Sequence, residues 1–250
     1  MNSVRNKYFG AYSSFGVSII IAGGDEAGRG SVIGPLVVSL VAIGKNKEKR
    51  LADIGVRDSK QLTPRQREFL FGEIYKIAEE IGYYVITNEE INAAMRNGIS
   101  LNELEAMHFS KLLDSLNSRI SKLYIDSPDV IPGRFGTRIS MYSKKPVASV
   151  GVKVKAEEEP IRVIAEHKAD VRYPIVSAAS IVAKVIRDRE IERIKQELGI
   201  DFGSGYPSDR LTRQALKSNL SNAEFQGFVR QKWRTLQEIR QSHIEEFFQG

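Results

Sequence analysis

The residues best suited to chemistry are two adjacent carboxylates, Asp25 and Glu26, in a glycine-rich segment. They follow the apolar run 17–22, which is typical of a buried strand, and they precede the tripeptide Gly28-Arg29-Gly30. Carboxylates at the end of a strand suit a hard divalent cation such as Mg²⁺. Glycines allow a backbone to come close to a ligand, and arginine pairs with phosphate. The segment therefore indicates a metal-dependent enzyme that acts on a phosphodiester.

Adjacent side chains of a regular strand point to opposite faces, so Asp25 and Glu26 could not both face one metal ion from such a strand. The glycines at 23, 24 and 28 predict a bulge or a strand end at this point. An Asp-Glu pair is also a common feature of a solvated surface. The preceding buried strand and the flanking glycines favour the functional interpretation.

Two further carboxylates occupy suggestive positions. Asp126 ends the short apolar segment 123–125, and Asp170 precedes a long helical segment. Sites in open α/β sheets gather at the carboxyl ends of strands. Turn formation before Ser127-Pro128 is an alternative role for Asp126, and compensation of helix N-terminal charge is one for Asp170.

The long helical segment carries an apolar stripe and, on the neighbouring face, Ser177, Ser180 and Lys184. Their spacing of i, i+3 and i+7 aligns two small hydroxyls and an amine, which could follow a phosphate backbone. Packing by small residues beside a solvated lysine is the alternative explanation.

Hydrophobic periodicity predicts an α/β fold, a sheet with helices on its faces. Thr63 and Gln66 form a predicted capping box for a helix over 64–81 that Gly82 ends, and Asn88 and Ser100 are predicted N-caps of the next two helices. A further helix is predicted over 175–198, followed by a mostly helical region. Strands are predicted at 17–22, 36–43, 83–87, 122–126, 147–154 and 162–165. The predicted domains are a leader, 1–16; a catalytic domain, 17–205; a helical C-terminal region, 206–240; and a tail, 241–250.

Composition narrows the class of protein. The 250 residues contain no cysteine and three histidines, which excludes thiolate metal sites and disfavours imidazole-based zinc. A net charge of +6 and a pI near 9.4 suit a polyanionic partner, although a generic basic protein has the same balance. The sequence has neither a membrane-spanning run nor the apolar core of a signal peptide, so we expect a cytoplasmic protein. The glycine spacings match neither a P-loop nor a dinucleotide fingerprint.

Taken together, several segments of the chain resemble ribonuclease HII, most closely its archaeal branch. They occur in the family's order and cover roughly 18–215: Asp25-Glu26-Ala27-Gly28-Arg29-Gly30 with Gly34-Pro35, Arg57-Asp58-Ser59-Lys60, Tyr124-Ile125-Asp126, His167-Lys168-Ala169-Asp170, Ser177-Ala178-Ala179-Ser180-Ile181 with Lys184 and Arg187-Asp188, and Gly205-Tyr206-Pro207. One departure is Gly24, which stands where the family usually has an apolar residue and predicts a looser strand beside Asp25.

The resemblance implies an RNase H-like fold: a mixed sheet flanked by helices, with a helical C-terminal extension. It implies a site for two Mg²⁺ or Mn²⁺ ions made of four carboxylates: Asp25, Glu26, Asp126 and Asp170. It also implies that Gly28-Arg29-Gly30 grips a ribonucleotide 2′-OH, that Tyr206 stacks at the RNA-to-DNA junction, and that phosphates are held by Lys60, Ser177, Ser180 and Lys184.

The implied activity, in replication and repair, is cleavage of RNA in RNA/DNA hybrids and cleavage 5′ of single ribonucleotides in duplex DNA, leaving 3′-OH and 5′-phosphate ends. Two alternatives differ. Ribonuclease HIII has an extra N-terminal domain and lacks the Gly-Arg-Gly tripeptide, which is present here at 28–30. A non-catalytic hybrid-binding protein would not need all four carboxylates.

The tail contains a second motif. Gln241, Ile244, Phe247 and Phe248 have the spacing of a sliding-clamp-binding peptide, and the three apolar residues form one face of a helical turn. A sliding clamp is therefore a predicted partner. Packing of this turn onto the C-terminal helices is the alternative.

Overall fold

The computed structural model describes residues 19–56, 62–152 and 159–249, with side chains described as far as 242. The predicted leader and Lys60 lie outside these residues. The strands are β1 (Ile20–Ala27), β2 (Leu36–Gly44), β3 (Glu80–Ile86), β4 (Ile120–Asp126), β5 (Val147–Ala148) and β6 (Ile161–Glu166). The α-helices are α1 (Glu48–Asp53), α2 (Pro64–Ile77), α3 (Asn88–Arg96), α4 (Leu101–Ser115), α5 (Pro132–Tyr142), α6 (Ala169–Arg172), α7 (Pro174–Leu198), α8 (Arg210–Ser218), α9 (Ala223–Gly227) and α10 (Arg234–Gln249).

The six strands form one mixed sheet in the order β3-β2-β1-β4-β6-β5. Strands β1, β4 and β6 are parallel neighbours, and β5 pairs in parallel with β6. All nine residues of β2 are buried, which explains why this strand is a continuous apolar run. The predicted α/β sheet with flanking helices is therefore confirmed.

Local signals located several boundaries well. The Thr63–Gln66 capping box is present: Gln66 N donates to Thr63 Oγ1 at 3.3 Å, and Thr63 N donates to Gln66 Oε1 at 2.8 Å. Helix α7 and strand β2 also match their predicted ranges. Strand β1 continues past the predicted end at residue 22 as far as Ala27, so both carboxylates of the pair belong to the strand.

Other boundaries were wrong. Helix α2 ends at Ile77, because Ala78 is extended and the chain enters β3 at Glu80. Ile81 has helical spacing in the sequence, yet its side chain is buried in the sheet. The N-cap of α3 is Thr87 rather than Asn88. The predicted strand 147–154 is described as far as residue 152, and within that part only Val147–Ala148 forms a strand.

The chain divides into two compact units that alternate along the sequence. The first, here called the sheet unit, comprises 1–27, 38–84 and 102–185; the second, the helical unit, comprises 28–37, 85–101 and 186–250. The predicted boundaries at 16/17, 205/206 and 240/241 stay predictions. None of the helices in the described part of the chain combines the length and apolarity needed to cross a bilayer.

The helical unit has its own hydrophobic core. Its buried members come from the segment after Gly30, from the second half of α7, and from the helices and connecting segments that follow: Val32, Ile33, Ile191, Ile194, Phe202, Ala215, Leu216, Phe225, Val229, Leu236 and Ile239. The glycine-rich tripeptide is thus followed directly by residues anchored in a core.

Candidate active site

The sheet register places two of the predicted carboxylates side by side. Strands β1 and β4 are parallel, and their last paired residues are Gly24 and Ile125. The next residue of each chain segment is a carboxylate, Asp25 on β1 and Asp126 on β4. Both therefore lie toward the carboxyl ends of two neighbouring parallel strands, where α/β enzymes hold their ligands.

Asp170 reaches the same region through a tight turn. Asp126 pairs in register with Glu166, the last residue of β6, and the turn that follows carries Lys168 in the left-handed region with φ of 58°. Ala169 N then donates to Asp126 Oδ1 at 2.7 Å. Asp170 is the next residue, buried at the second position of α6. A hydrogen bond thus joins the turn that carries Asp170 to the carboxylate of Asp126.

The charges of this group oppose one another. Burial raises the pKa of Asp25 well above its ordinary value, and the nearby charges of Glu26 and Asp126 raise it further. Hydrogen bonds from the Ser180 hydroxyl and the Glu26 backbone lower it in part. The Glu26 N–H donates to Asp25 Oδ1 at 2.8 Å. A cation would relieve the repulsion among these three carboxylates.

The glycines beside Asp25 have a different role from the predicted one. Strand β1 continues through both carboxylates to Ala27, so the strand does not end at the pair, and the register shift in its pairing with β4 lies between Ile20 and Ile21. A Cβ on Gly23 would lie 2.3 Å from the carbonyl oxygen of Ile175, so this glycine lets α7 approach the strand. Gly24 pairs with Ile125, so the expected loosening of the strand is absent. Asp25 is buried and Glu26 is half-buried, as their alternation on a strand requires.

The donor set suits a hard divalent ion, because all four predicted ligands are carboxylates. In the described parts of the chain, no three His, Cys, Asp or Glu side chains are grouped closely enough to hold a metal ion as they stand. What the structure shows is that the backbone of Asp25 lies beside that of Asp126 and that the turn bearing Asp170 is hydrogen-bonded to Asp126. The assignment of all four as metal ligands stays a proposal.

The predicted phosphate-contacting residues of α7 have partners within the protein. Ser177 and Ser180 are both buried, and the Ser177 hydroxyl donates to the carbonyl oxygen of Val56. Lys184 Nζ donates to Ser180 Oγ at 2.8 Å, and Ser180 in turn is hydrogen-bonded to Asp25. Ser180 thus connects Lys184 to Asp25, which is the more deeply buried of the two adjacent carboxylates Asp25 and Glu26. Contact of these residues with phosphates stays a prediction.

In the helical unit, Gly28-Arg29-Gly30 begins a turn that only glycine can open. Gly28 has φ of +90°, and a Cβ there would lie 2.6 Å from the carbonyl oxygen of Pro35 and 2.7 Å from Arg187 Nε. Ser31 Oγ donates to Gly28 O at 2.8 Å. Gly30 is exposed. The turn therefore has a fixed inner side and an accessible outer side.

Tyr206 lies in a loop that is held firmly in the same unit. The carbonyl of the preceding Gly205 accepts hydrogen bonds from Val32 N at 2.8 Å and Ile33 N at 3.1 Å. The guanidinium carbon of Arg187 lies 4.6 Å from the centre of the Tyr206 ring. Arg187 Nη2 also donates to Ser204 O at 2.7 Å. The Tyr206 ring is thus backed by a buried cation.

Sequence reasoning missed two supporting arginines. Arg187 belongs to a segment that resembles the family, but nothing in the neighbouring sequence indicates its contact with Tyr206. Arg230, which is completely buried, donates to carbonyls of Gly28, Arg29 and Gly34 from some 200 positions away along the chain. Neither contact can be found by periodicity or motif spacing.

A mixed sheet flanked by helices, with carboxylates toward the ends of neighbouring parallel strands, is the arrangement found in metal-dependent nucleases with an RNase H-like fold, the fold of the solved structures this chain resembles. The family model described as ribonuclease HII matches residues 22–236. The chain therefore belongs to the ribonuclease HII family, whose members are ribonuclease H enzymes that act on RNA/DNA hybrids. Of the two alternatives considered from the sequence, membership of an enzyme family argues against a non-catalytic hybrid-binding protein, and the match to the ribonuclease HII model argues against ribonuclease HIII.

Individual relatives agree with this assignment and with the predicted archaeal branch. Ribonuclease HII of Pyrococcus horikoshii is 47% identical over 222 residues, which span 88% of this chain and 93% of the relative. The crystal structure of ribonuclease H2 from Pyrococcus horikoshii is 45% identical with a TM-score of 0.76, covering 90% of this chain and 98% of that one. The Archaeoglobus fulgidus enzyme in the PCNA:RNase HII complex is 40% identical with a TM-score of 0.73, covering 86% of this chain and 96% of that one.

The predicted clamp-binding tail forms part of helix α10, whose backbone runs continuously to Gln249. Gln241 is exposed. The side chains of Ile244, Phe247 and Phe248 lie outside the described residues.

Proposed function

We propose that this ribonuclease H cleaves on the 5′ side of ribonucleotides, including single ribonucleotides embedded in duplex DNA, and leaves 3′-OH and 5′-phosphate ends. The observation that supports the catalytic part is the register that aligns Asp25 with Asp126 and the hydrogen bond that joins Asp126 to the turn of Asp170. The observation that supports the ribonucleotide preference is the fixed turn at 28–30 in a chain of this family.

In the proposed mechanism, Asp25, Glu26, Asp126 and Asp170 would hold two divalent ions, Mg²⁺ or Mn²⁺. When bound, such ions would activate a water and stabilise the leaving 3′-oxygen in an in-line displacement. Ser180 orients Asp25 by its hydrogen bond, and the Ala169 N–H holds Asp126 Oδ1. Burial and the charges of Glu26 and Asp126 together raise the pKa of Asp25, and a bound cation would offset the unfavourable charge.

Substrate contacts are assigned to two groups of residues. In the sheet unit, Lys60, Ser177, Ser180 and Lys184 are proposed to contact phosphates. In the helical unit, Gly28, Arg29 and Gly30 contact the 2′-OH and its phosphate, and Tyr206 stacks on the nucleotide at the junction. The 2′-OH is the group that distinguishes a ribonucleotide from a deoxynucleotide at a given site.

The decisive experiment uses a DNA duplex with one ribonucleotide, incubated with the full chain with and without Mg²⁺. We expect one metal-dependent cut on the 5′ side of the ribonucleotide, with a 5′-phosphate on the downstream product. An all-DNA duplex of the same sequence is the control and should stay intact. A cut on the 3′ side, or a 2′,3′-cyclic end, would contradict the proposed mechanism.

We also propose that the tail binds a sliding clamp through Gln241, Ile244, Phe247 and Phe248. Two observations support this: the spacing of the motif, and the existence of a related ribonuclease HII in complex with PCNA. The apolar residues recur at i, i+3 and i+4, which is the pattern of a helical peptide bound in a groove. The cytoplasmic location stays a prediction.

A pair of substitutions, Phe247→Ala with Phe248→Ala, tests the clamp proposal in the full chain. We expect binding to the clamp, measured by titration, to weaken by at least about tenfold, because buried aromatic anchors carry much of an interface's energy. Cleavage without the clamp should be unchanged. Equal affinity of the two forms would refute the proposal, and a chain cut after Arg240 provides an independent check.

A further inference from the structure

The most unusual buried residue of the helical unit is Arg230. Its relative exposure is 0%, although arginine is almost never fully buried unless its charge is compensated. The residue lies between α9 and α10, in a segment whose sequence shows no functional motif. Such a costly burial calls for a specific role.

The hydrogen bonds of the Arg230 guanidinium converge on one short segment. Nη2 donates to Gly28 O at 2.7 Å, Nη1 to Arg29 O at 2.8 Å, and Nη2 and Nε to Gly34 O at 3.1 and 3.3 Å. The planar fork of arginine therefore holds three carbonyls of the glycine-rich turn at once.

The surrounding backbone keeps this arginine in place. Its own N–H donates to Val32 O at 2.9 Å, and Gly34 N donates to Phe228 O at 3.0 Å. Ile33 forms an isolated antiparallel bridge with Val229. The guanidinium carbon also lies 4.9 Å from the centre of the Trp233 ring. These contacts leave the guanidinium little freedom to turn away from the three carbonyls.

Because peptide units are planar, the positions of these carbonyls also fix the directions of the neighbouring N–H groups. In a trans peptide the C=O and the following N–H point in opposite directions. Holding Gly28 O and Arg29 O toward Arg230 therefore directs the N–H groups of Arg29 and Gly30 to the other side. Gly34 precedes Pro35, which has no N–H, so its carbonyl serves only as an anchor.

We propose that Arg230 is a positioning residue for ribonucleotide recognition: its guanidinium orients the two consecutive peptides at 28–30 so that the Arg29 and Gly30 N–H groups face the sugar-phosphate backbone at the ribonucleotide. Consecutive N–H groups of this kind bind an anion or an oxygen acceptor. Donation to each carbonyl also polarises its peptide, which strengthens the N–H on the opposite side. The inference rests on the proposed role of Gly28-Arg29-Gly30 and deepens it.

The test compares Arg230→Lys with wild type in the full chain. Lysine keeps the positive charge but cannot hold three carbonyls in one plane. The measured quantity is the ratio of affinities for a duplex with one ribonucleotide and for the same all-DNA duplex, in EDTA so that no cleavage occurs. We expect this ratio to fall by about tenfold, the value of one or two hydrogen bonds, with little change in affinity for the all-DNA duplex.

Leu236→Ala is the matched control, because Leu236 is equally buried in the core of the same unit, and its backbone N–H donates to Trp233 O rather than to the turn. This variant should have a lower melting temperature. Its ratio of affinities for the two duplexes should equal that of wild type when the affinities are measured well below the melting temperature. In Mg²⁺, Arg230→Lys should raise KM for the single-ribonucleotide duplex, whereas Leu236→Ala should not. A folded Arg230→Lys variant with the wild-type ratio and KM would overturn the inference.

A second pair of variants acts on the donors themselves. Gly30→Pro removes the N–H, whereas Gly30→Ala keeps it and adds a Cβ only 3.8 Å from Tyr206, an ordinary contact distance. Should Arg230→Lys fail to fold, this pair provides the test. The ratio of affinities for the single-ribonucleotide and all-DNA duplexes must fall further in Gly30→Pro than in Gly30→Ala, and an equal fall in the two variants overturns the inference. If wild type itself showed no ribonucleotide preference and no cut at a single ribonucleotide, the proposed function would fail as well.

Discussion

The two groups of proposed site residues are built in opposite ways. In the sheet unit, the carboxylates owe their positions to strand register, and burial together with the repulsion from neighbouring carboxylates raises the pKa of Asp25. In the helical unit, the turn at 28–30 and the loop of Tyr206 are irregular backbone, and buried arginines hold them by hydrogen bonds and ring contact. The residues proposed for catalysis thus lie on regular structure with unfavourable charge, and those proposed for recognition lie on loops that are held by buried arginines.

This contrast has a physical basis. Metal ligands must tolerate like charges at close range, and a strand end held by its neighbours on both sides can resist that repulsion. A loop has no regular ladder of hydrogen bonds, so its conformation must be fixed by backbone and side-chain contacts from elsewhere in the chain. The same contrast predicts that damage to the first group removes catalysis, whereas damage to the second removes affinity and selectivity.

The largest effect is expected for Asp126→Asn. Cleavage should fall below detection while affinity for a hybrid stays within a few-fold of wild type, because a proposed metal ligand is lost and the remaining contacts persist. Gel assays of cleavage and filter binding measure the two quantities. Glu166→Gln is the matched control: Glu166 pairs with Asp126 in the register and forms an ion pair with Arg172 at 2.8 Å, but it is not a proposed ligand. Equal inactivation of both variants would break the assignment.

A smaller effect is expected for Arg187→Lys. Loss of the planar guanidinium behind Tyr206 should lower kcat/KM for a single-ribonucleotide duplex by about tenfold, mostly through KM. This is the size expected for a cation–π contact whose cation is shielded from solvent. Lys195→Met is the control, since Lys195 Nζ lies 5.9 Å from the centre of the Phe202 ring in the same unit. It should leave the kinetics unchanged. A pure loss of kcat in Arg187→Lys would contradict the division between chemistry and recognition.

Asp25→Asn should raise stability while abolishing cleavage. Because burial and the charges of Glu26 and Asp126 raise the pKa of Asp25 in the folded state, its contribution to stability is present at low pH and is lost as pH rises through that raised pKa. The neutral variant removes this loss. In EDTA near neutral pH we expect a melting temperature higher by a few degrees, since ~1 kcal/mol corresponds to roughly 2–4 °C for a chain of this size.

The measurement is a set of thermal melts in EDTA across the acid-to-neutral range. The difference between Asp25→Asn and wild type should grow as pH rises and should shrink when Mg²⁺ is added to wild type. A lower melting temperature for the variant at every pH would show that hydrogen bonds from Ser180 and Glu26 outweigh the repulsion.

The smallest effect is expected at Lys168, which has the only positive φ among non-glycine residues in the described part of the chain. Lys168→Gly should retain cleavage and unfold at the same temperature or slightly higher, because glycine adopts this conformation without the cost of about 1 kcal/mol. Lys168→Val should lower the melting temperature and weaken cleavage, since the turn places the Ala169 N–H on Asp126. Identical behaviour of the two variants would mean that the turn does not depend on residue 168.

Much of this molecule could be predicted where the signal is local. The capping box at Thr63 depends on residues three positions apart, and the apolar runs of β2 and α7 reflect burial that each element requires wherever it packs. Ile81 shows the limit: its helical spacing after α2 was real, but pairing in the sheet determined its conformation. The carboxylates could be nominated because residue type and strand-end position are visible in the chain.

By itself, the sequence determined the class of chemistry, the family, and the identity of the acidic residues. Only the tertiary structure decided how their backbones are arranged: the alignment of Gly24 with Ile125 sets Asp25 beside Asp126, and the left-handed turn at Lys168 leads to Asp170 through Ala169, whose N–H donates to Asp126. It also assigned Gly23 to helix packing and placed Arg230 behind Gly28 and Arg29. The physical reason is distance along the chain, because a contact between residues some 200 positions apart has no local pattern and depends on the free energy of the whole fold.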